Sequence, residues 1–176
     1  MKDNNVKIIG GKWKRKNISF NEAMGLRPTL GRVRETLFNW LGQDLNNKKC
    51  LDLFAGTGAL GFEALSRNAE SCTFVENNPS TFQKLIENKE NLKADNAIIK
   101  KIHADFFIKK NDELFDIIFF DPPFVLDNSI QLIEFIRKFL KPHGVIYFET
   151  NIKLPENFLE IIKTSRVGKV YFHLVH

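Results

Sequence analysis

Between Lys49 and Thr150 the chain alternates compact apolar runs with segments whose apolar residues recur every three or four positions. The runs KCLDLF (49–54), SCTFVE (71–76), AIIKKIHA (97–104), FDIIFFD (115–121) and GVIYFET (144–150) predict buried strands. The segments GALGFEALSRN (58–68), PSTFQKLIENKENLK (79–93) and SIQLIEFIRKFL (129–140) predict helices. Strand and helix in this alternation predict a parallel sheet with helices on both faces. The closing stretch FLEIIKTSRVGKVYFHLVH (158–176) predicts a strand pair turning at Val167-Gly168, too close in sequence to be anything but antiparallel.

Upstream the pattern changes. VKIIGGKWKRKNISF (6–20) predicts two short strands around a Gly10-Gly11 turn. RPTLGRVRETLFNWLG (27–42) predicts a helix, with Pro28 ahead of a capping Thr29 and with Leu30, Val33, Leu37 and Leu41 on one face. Gly31 weakens its first turn by up to ~1 kcal/mol relative to alanine. The expected architecture is one domain of doubly wound α/β type over residues 1–176: a basic N-terminal hairpin (1–26) appended to a core (27–176).

A chain of 176 residues, 43% hydrophobic and 27% charged, fits one soluble globular domain, and no apolar stretch reaches the length of a membrane span. MKDNNVK at the start has no apolar signal region. Cys50 and Cys72 lie in separate apolar runs and read as reduced core residues of a cytoplasmic protein. The four histidines are scattered, and no metal site is expected. Charge is concentrated at one end. Residues 1–36 hold nine basic and three acidic side chains, a net +6 against −1 for the remaining 140 residues. A basic arm on a neutral body suggests a polyanionic partner.

The first predicted strand of the core runs into LDLFAGTGALG, a G-x-G-x-x-G turn formed by Gly56, Gly58 and Gly61. Glu76 follows 20 residues after Gly56, at the end of the next strand. Such a carboxylate can accept both hydroxyls of a ribose, so a nicotinamide oxidoreductase competes at this point. Asp52, four residues before Gly56, separates the readings: an acid at the strand's mouth opposes a pyrophosphate but complements the ammonium and sulfonium of S-adenosylmethionine. Asp105, in HADFF after the third strand, is placed to accept from an adenine amino group, with Phe106 or Phe107 beside the ring. A helix-capping role is the plain alternative for that acid.

The fourth strand ends in DPPF, Asp121 to Phe124. Pro122 and Pro123 fix an extended backbone and remove two N–H donors, leaving the Asp121 carboxylate and main-chain carbonyls as a rigid row of acceptors. Such a row suits an exocyclic –NH₂. Holding its two N–H groups orients the nitrogen lone pair and stabilises positive charge developing on it. Phe124 can stack on the base.

On LDLFAGTG, VEN and DPPF in strand order, the chain resembles class I S-adenosylmethionine-dependent amino-methyltransferases. IIGGKWKRK, GLRPTLGRVRETLFNWL, CLDLFAGTGALGFEALSR and GKVYFHL narrow the resemblance to the RsmD family of bacterial 16S rRNA guanine-N2 methyltransferases. That resemblance implies a Rossmann-like class I methyltransferase fold with a seven-stranded, mostly parallel sheet, a monomer, and methylation of one guanine of 16S rRNA in the assembling small subunit. Carried onto this sequence, Asp121, Pro122, Pro123 and Phe124 are the catalytic set. The donor is expected at Asp52, Phe54, Ala55, Gly56, Thr57, Gly58, Glu76, Asn77, Asp105, Phe106 and Asp121. RNA is expected at Lys12, Lys14, Arg15, Lys16, Arg27, Thr29, Arg32 and Arg34. Two departures stand out: Leu30-Gly31 follows R-P-T where the family usually has Thr or Ser and then Asp, and Arg15 replaces a common glycine. Other readings are an adenine-N6 or cytosine-N4 methyltransferase, a protein-glutamine enzyme (which generally has Asn before P-P), and a non-catalytic module of the same fold.

Overall fold

A computed structural model describes residues 3–21, 31–122, 129–151, 154 and 160–176. Seven strands form the main sheet in the order β5-β4-β3-β6-β7-β9-β8. They are β3 (Lys49–Asp52), β4 (Ser71–Glu76), β5 (Ala97–Lys101), β6 (Phe115–Phe120), β7 (Leu140–Thr150), β8 (Ile161–Val167) and β9 (Val170–Val175). β3 to β7 run parallel, β9 is antiparallel to β7, and β8 to β9. The chain therefore steps outward from β3 to β5 and then crosses back to place β6 against β3. That reversal opens a crevice at the carboxyl ends of β3 and β6, where α/β sheets of this kind bind ligands.

Strand residues alternate between two cores. Cys50, Cys72, Phe74, Ile117, Phe119 and Tyr147 face α1 (Gly31–Leu41), α2 (Ala59–Ser66) and α3 (Pro79–Leu92). Leu51, Val75, Ile118, Phe120, Ile146 and Phe148 face α4 (Ala104–Lys110) and α5 (Ser129–Ile136). Burial on both faces is why the central strands carry apolar residues at successive positions, as at 50–51, 74–75 and 117–120. Cys50 and Cys72 are free, buried and directly opposite each other on β3 and β4, and burial holds both thiols above their usual range. No helix among the described residues is long and apolar enough to cross a membrane.

Two expectations about elements are corrected. The third strand stops at Lys101, and HADFF begins a helix, α4, whose N-cap is His103: its side chain accepts from the Asp105 N–H at 3.4 Å. The N-terminal strands β1 (Asp3–Lys7) and β2 (Asn17–Asn21) do pair as an antiparallel ribbon, but Gly10-Gly11 is not their turn. A loop with a 3₁₀ turn at Gly11–Trp13 joins them.

The two glycines serve docking. A Cβ on Gly11, at φ +71°, would lie 1.9 Å from the Ser66 carbonyl oxygen, so only glycine lets this loop reach the end of α2. Trp13 is buried there, its N–H donating to Ser66 Oγ at 2.9 Å. Glu63, fully buried on α2, accepts from the N–H groups of Ile9 and Gly10, each at 2.8 Å, and from Arg67 Nε at 2.9 Å. On β2, Ser19 exchanges two backbone hydrogen bonds with the buried Asn88 side chain of α3. Arg15 stands at φ +70°, in the left-handed region that favours glycine.

Candidate active site

β3 ends at Asp52 and leads into the glycine turn. Gly56 at φ +48° and Gly58 at φ +75° are left-handed, and a Cβ on Gly58 would lie 2.6 Å from Leu85. Gly61, inside α2, lies so close to the sheet that a Cβ would meet the Phe74 ring at 2.3 Å. The turn is held from β4: Glu76 Oε2 accepts from the Gly56 N–H at 3.1 Å, while its Oε1 accepts from the Asn78 N–H at 2.7 Å. Asn78 in turn caps α3, accepting from Ser80 and Thr81. Ala55 and Thr57 are buried within the turn, Phe54 packs edge-on against Phe120 with centroids 5.6 Å apart, and Asn77 is exposed.

Asp52 is buried, and its Oδ2 accepts from the Gly61 N–H at 3.0 Å. Burial, partly offset by that hydrogen bond and reinforced by the nearby Glu76 charge, pushes its pKa up to about 7. A carboxyl group in this condition gains by meeting a cation. Asp121 follows β6 directly, half-buried, with Pro122 buried behind it. Because β4, β3 and β6 are adjacent, Glu76, Asp52 and Asp121 gather at one edge of the sheet, with Asp52, level with Phe74 and Phe119, set two residues behind the other two. By strand alternation all three share the side of α1 to α3. Beyond β5, Asp105 and Phe106 sit on the first turn of α4. Phe106 is 58% exposed, and the Asp105 carboxylate is exposed beside His103 Nδ1 at 3.3 Å.

The basic residues divide. Lys12, Lys14, Arg15 and Lys16 are all exposed on the loop around the buried Trp13, outside both strands of the ribbon. Lys12 Nζ lies 4.5 Å from the Trp13 ring centroid. Arg32 is exposed on the first turn of α1. Arg34 is not a surface cation: it is buried, its Nη1 3.7 Å from Glu63 and its Nη2 donating to the Lys7 carbonyl at 3.1 Å. An arginine so enclosed holds α1 to the hairpin and cannot reach RNA. Arg27, Thr29, Pro123 and Phe124 lie outside the described residues.

Glu63 itself escaped the sequence reading. The available signal was an acid inside the apolar turn GFEAL with Arg67 four residues on, a pattern that only burial explains.

The comparisons with known proteins agree with this architecture. The family described as Conserved hypothetical protein 95 matches residues 6–176. Ribosomal RNA small subunit methyltransferase D of Escherichia coli strain K12 is 42% identical over 177 residues, spanning 96% of this chain and 88% of that protein. The Haemophilus influenzae protein of the same name is 38% identical, spanning 96% and 92%. The solved structure of yhhF from Escherichia coli superposes with a TM-score of 0.83 at 34% identity, covering 97% of each chain. A Thermus thermophilus 16S rRNA N2 G1207 methyltransferase shares the fold, with a TM-score of 0.76 at 22% identity over 99% of this chain and 50% of that one. With a family match over nearly its whole length and relatives well above 30% identity, the chain belongs to the RsmD family, described as Conserved hypothetical protein 95.

Proposed function

We propose that the chain transfers the methyl group of S-adenosylmethionine to the exocyclic N2 of a guanine in 16S rRNA, acting as a cytoplasmic monomer on the assembling small subunit. The observation that carries this reading is the gathering of the acids Glu76, Asp52 and Asp121 at the switch point of the sheet, in a chain that matches ribosomal RNA methyltransferases along almost its full length. The donor supplies an electrophilic methyl on a sulfonium. The residues fit it: Asp52 is a buried acid with one N–H partner and an elevated pKa, suited to a cationic group. Glu76 is oriented by two backbone N–H groups and keeps lone pairs for ribose hydroxyls. Gly56 and Gly58 let the backbone approach. Asp105 and Phe106 offer an acceptor and an open ring face for adenine.

On the other side of Asp52, Asp121 accepts from the guanine amino group and Pro122 keeps its backbone extended, with Pro123 and Phe124 completing the motif. No base is required before transfer: the carboxylate orients the lone pair and receives the proton once nitrogen is positive. The exposed cations of the loop, with Arg32, and with Arg27 and Thr29 beside them in sequence, form the RNA-contacting set. The direct test is tritiated-methyl transfer from the donor to small-subunit RNA and particles from a strain lacking this enzyme, followed by mapping of the methylated base. Labelling at one guanine N2 is expected; labelling at an adenine or cytosine amine, or none, would overturn the reading.

Glu76→Ala is expected to weaken donor binding ~10- to 100-fold by calorimetry, the loss of a charged hydrogen-bond acceptor worth about 1.5–3 kcal/mol. Glu76→Gln, which keeps an acceptor for Gly56, should lose less. Unaltered donor affinity in the alanine variant would move the ribose contact elsewhere.

Replacing Lys12, Lys14, Arg15 and Lys16 together by glutamine is expected to flatten the plot of log RNA affinity against log salt by about 2–3 units, at roughly 0.7 per phosphate contact on single strands. Donor affinity should not change, since the loop docks at the opposite end of α2 from the glycine turn. A wild-type salt slope would make the loop a solvated surface and leave Arg27 and Arg32 to hold the RNA.

A further inference from the structure

The edge of the sheet carries one more acid than the function above employs. Glu149, near the end of β7, lies beside Asp121: β6 and β7 pair in parallel with Phe119 opposite Tyr147 and Phe120 opposite Phe148, so Asp121 and Glu149 are the next residues on each strand. Neighbouring strands lie ~4.8 Å apart, and alternation sends Phe119, Asp121, Tyr147 and Glu149 to the same face. Burial above all, and then the neighbouring Glu149 and Asp121 charges, hold the Tyr147 hydroxyl well above its usual pKa range. The Tyr147 hydroxyl, on a fully buried side chain, donates to Glu149 Oε1 at 2.7 Å. That bond fixes the carboxylate through one oxygen. Among the described residues Tyr147 is the one hydrogen-bond partner of this side chain, and no cation forms an ion pair with it. The group is half-buried beside Asp121, with Oε1 engaged by Tyr147.

Guanine presents two kinds of donor on one edge, the N2 amino group and the adjacent N1–H. Adenine N1 and cytosine N3, at the corresponding place, are acceptors. We propose that Glu149 is the base-selecting residue of this site, its carboxylate accepting the N1–H of the guanine whose N2 amino group Asp121 holds. The proposal rests on the guanine-N2 reading above. Two acids on adjacent strands then divide the donor edge between them: Asp121 addresses the reacting nitrogen, and Glu149 tests its neighbour. A base with an acceptor in that position meets the lone pairs of an oriented carboxylate and is repelled. Tyr147 is a positioning residue, acting through Glu149.

The test uses a short RNA carrying the mapped target position as guanine or as 2-aminopurine. The latter keeps the 2-amino group but has an unprotonated N1. A site built to receive a donor discriminates strongly against an analogue lacking it. Wild-type kcat/KM is expected to favour guanine by roughly 10²-fold or more. In Glu149→Gln the side-chain amide can donate to the 2-aminopurine N1, and the ratio should narrow by at least about tenfold. Tyr147→Phe should narrow it partially, with donor affinity and thermal midpoint kept in both variants. A ratio unchanged in Glu149→Gln, whether or not the overall rate falls, would overturn the assignment, as would a wild-type enzyme indifferent between the two bases. If the wild type methylates no guanine N2 in any RNA, the underlying function fails first and the selection role goes with it.

Discussion

Alanine at Asp121 is expected to lower kcat by ~10²–10³ while donor affinity stays near that of the wild type. The separation follows from strand order. Asp52 and Glu76 end β3 and β4, on the side of the switch point proposed for the donor, whereas Asp121 directly follows β6 and is proposed to address the incoming amine. Its position is rigid because β6 is buried on both faces, with Ile118, Phe119 and Phe120 fully enclosed, and because Pro122 behind it is buried and fixed in φ. A carboxylate held this way loses little reorganisation energy as charge develops on nitrogen, which is the condition under which one acceptor is worth several kcal/mol of barrier. Asp121→Asn, which keeps one acceptor and loses the charge, should fall between alanine and wild type. Single-turnover methyl transfer and donor calorimetry on the same preparations check this. An alanine variant with more than about a tenth of wild-type kcat would remove Asp121 from the chemistry.

The parts of this molecule that were legible from sequence are those in which one physical demand leaves one pattern. Strands buried on both faces must be apolar at successive positions, and residues 50–51, 74–75 and 117–120 of β3, β4 and β6 are. A turn with left-handed backbone needs glycine, and Gly56 and Gly58 stand there. Where two demands leave the same pattern, sequence could not choose. Gly10-Gly11 satisfies a hairpin turn as well as it satisfies close packing on Ser66, and the partner that decides is 55 residues away from Gly11. Arg34 sits in a run of cations, and nothing local distinguishes it from Arg32; its burial depends on Glu63, on another helix. The helix α4 was missed because its cap is a histidine and its seven residues, ADFFIKK, are too few to show a helical period. Glu149 went unassigned because a lone acid ending a strand is common, and its meaning comes from lying next to Asp121.

Asp52→Asn is expected to stabilise the donor-free protein at pH 8 while weakening its hold on S-adenosylmethionine. The folded-state pKa of Asp52 is raised from 3.8 to about 7, chiefly by burial. Well below pH 4 the carboxyl is protonated in both folded and unfolded chains and imposes no penalty. As pH rises, the unfolded chain ionises first. Stability therefore falls through the interval up to about pH 7, by about 4 kcal/mol in all. Asparagine keeps an acceptor for the Gly61 N–H and never ionises, so the variant should not show this decline; its advantage should be small at pH 4 and largest above pH 7. The donor reverses the balance. A cation beside Asp52 favours the charged carboxylate, so wild-type binding below pH 7 should release a proton and weaken by up to tenfold per pH unit, whereas the asparagine variant should bind more weakly and with little pH dependence. Chemical denaturation at pH 4, 6 and 8, with calorimetry in buffers of different ionisation enthalpy, separates the two effects. If the stability difference between variant and wild type were the same at pH 4 and pH 8, Asp52 would not be carrying a suppressed charge. If donor binding released no proton, its cationic group would be held elsewhere than at Asp52.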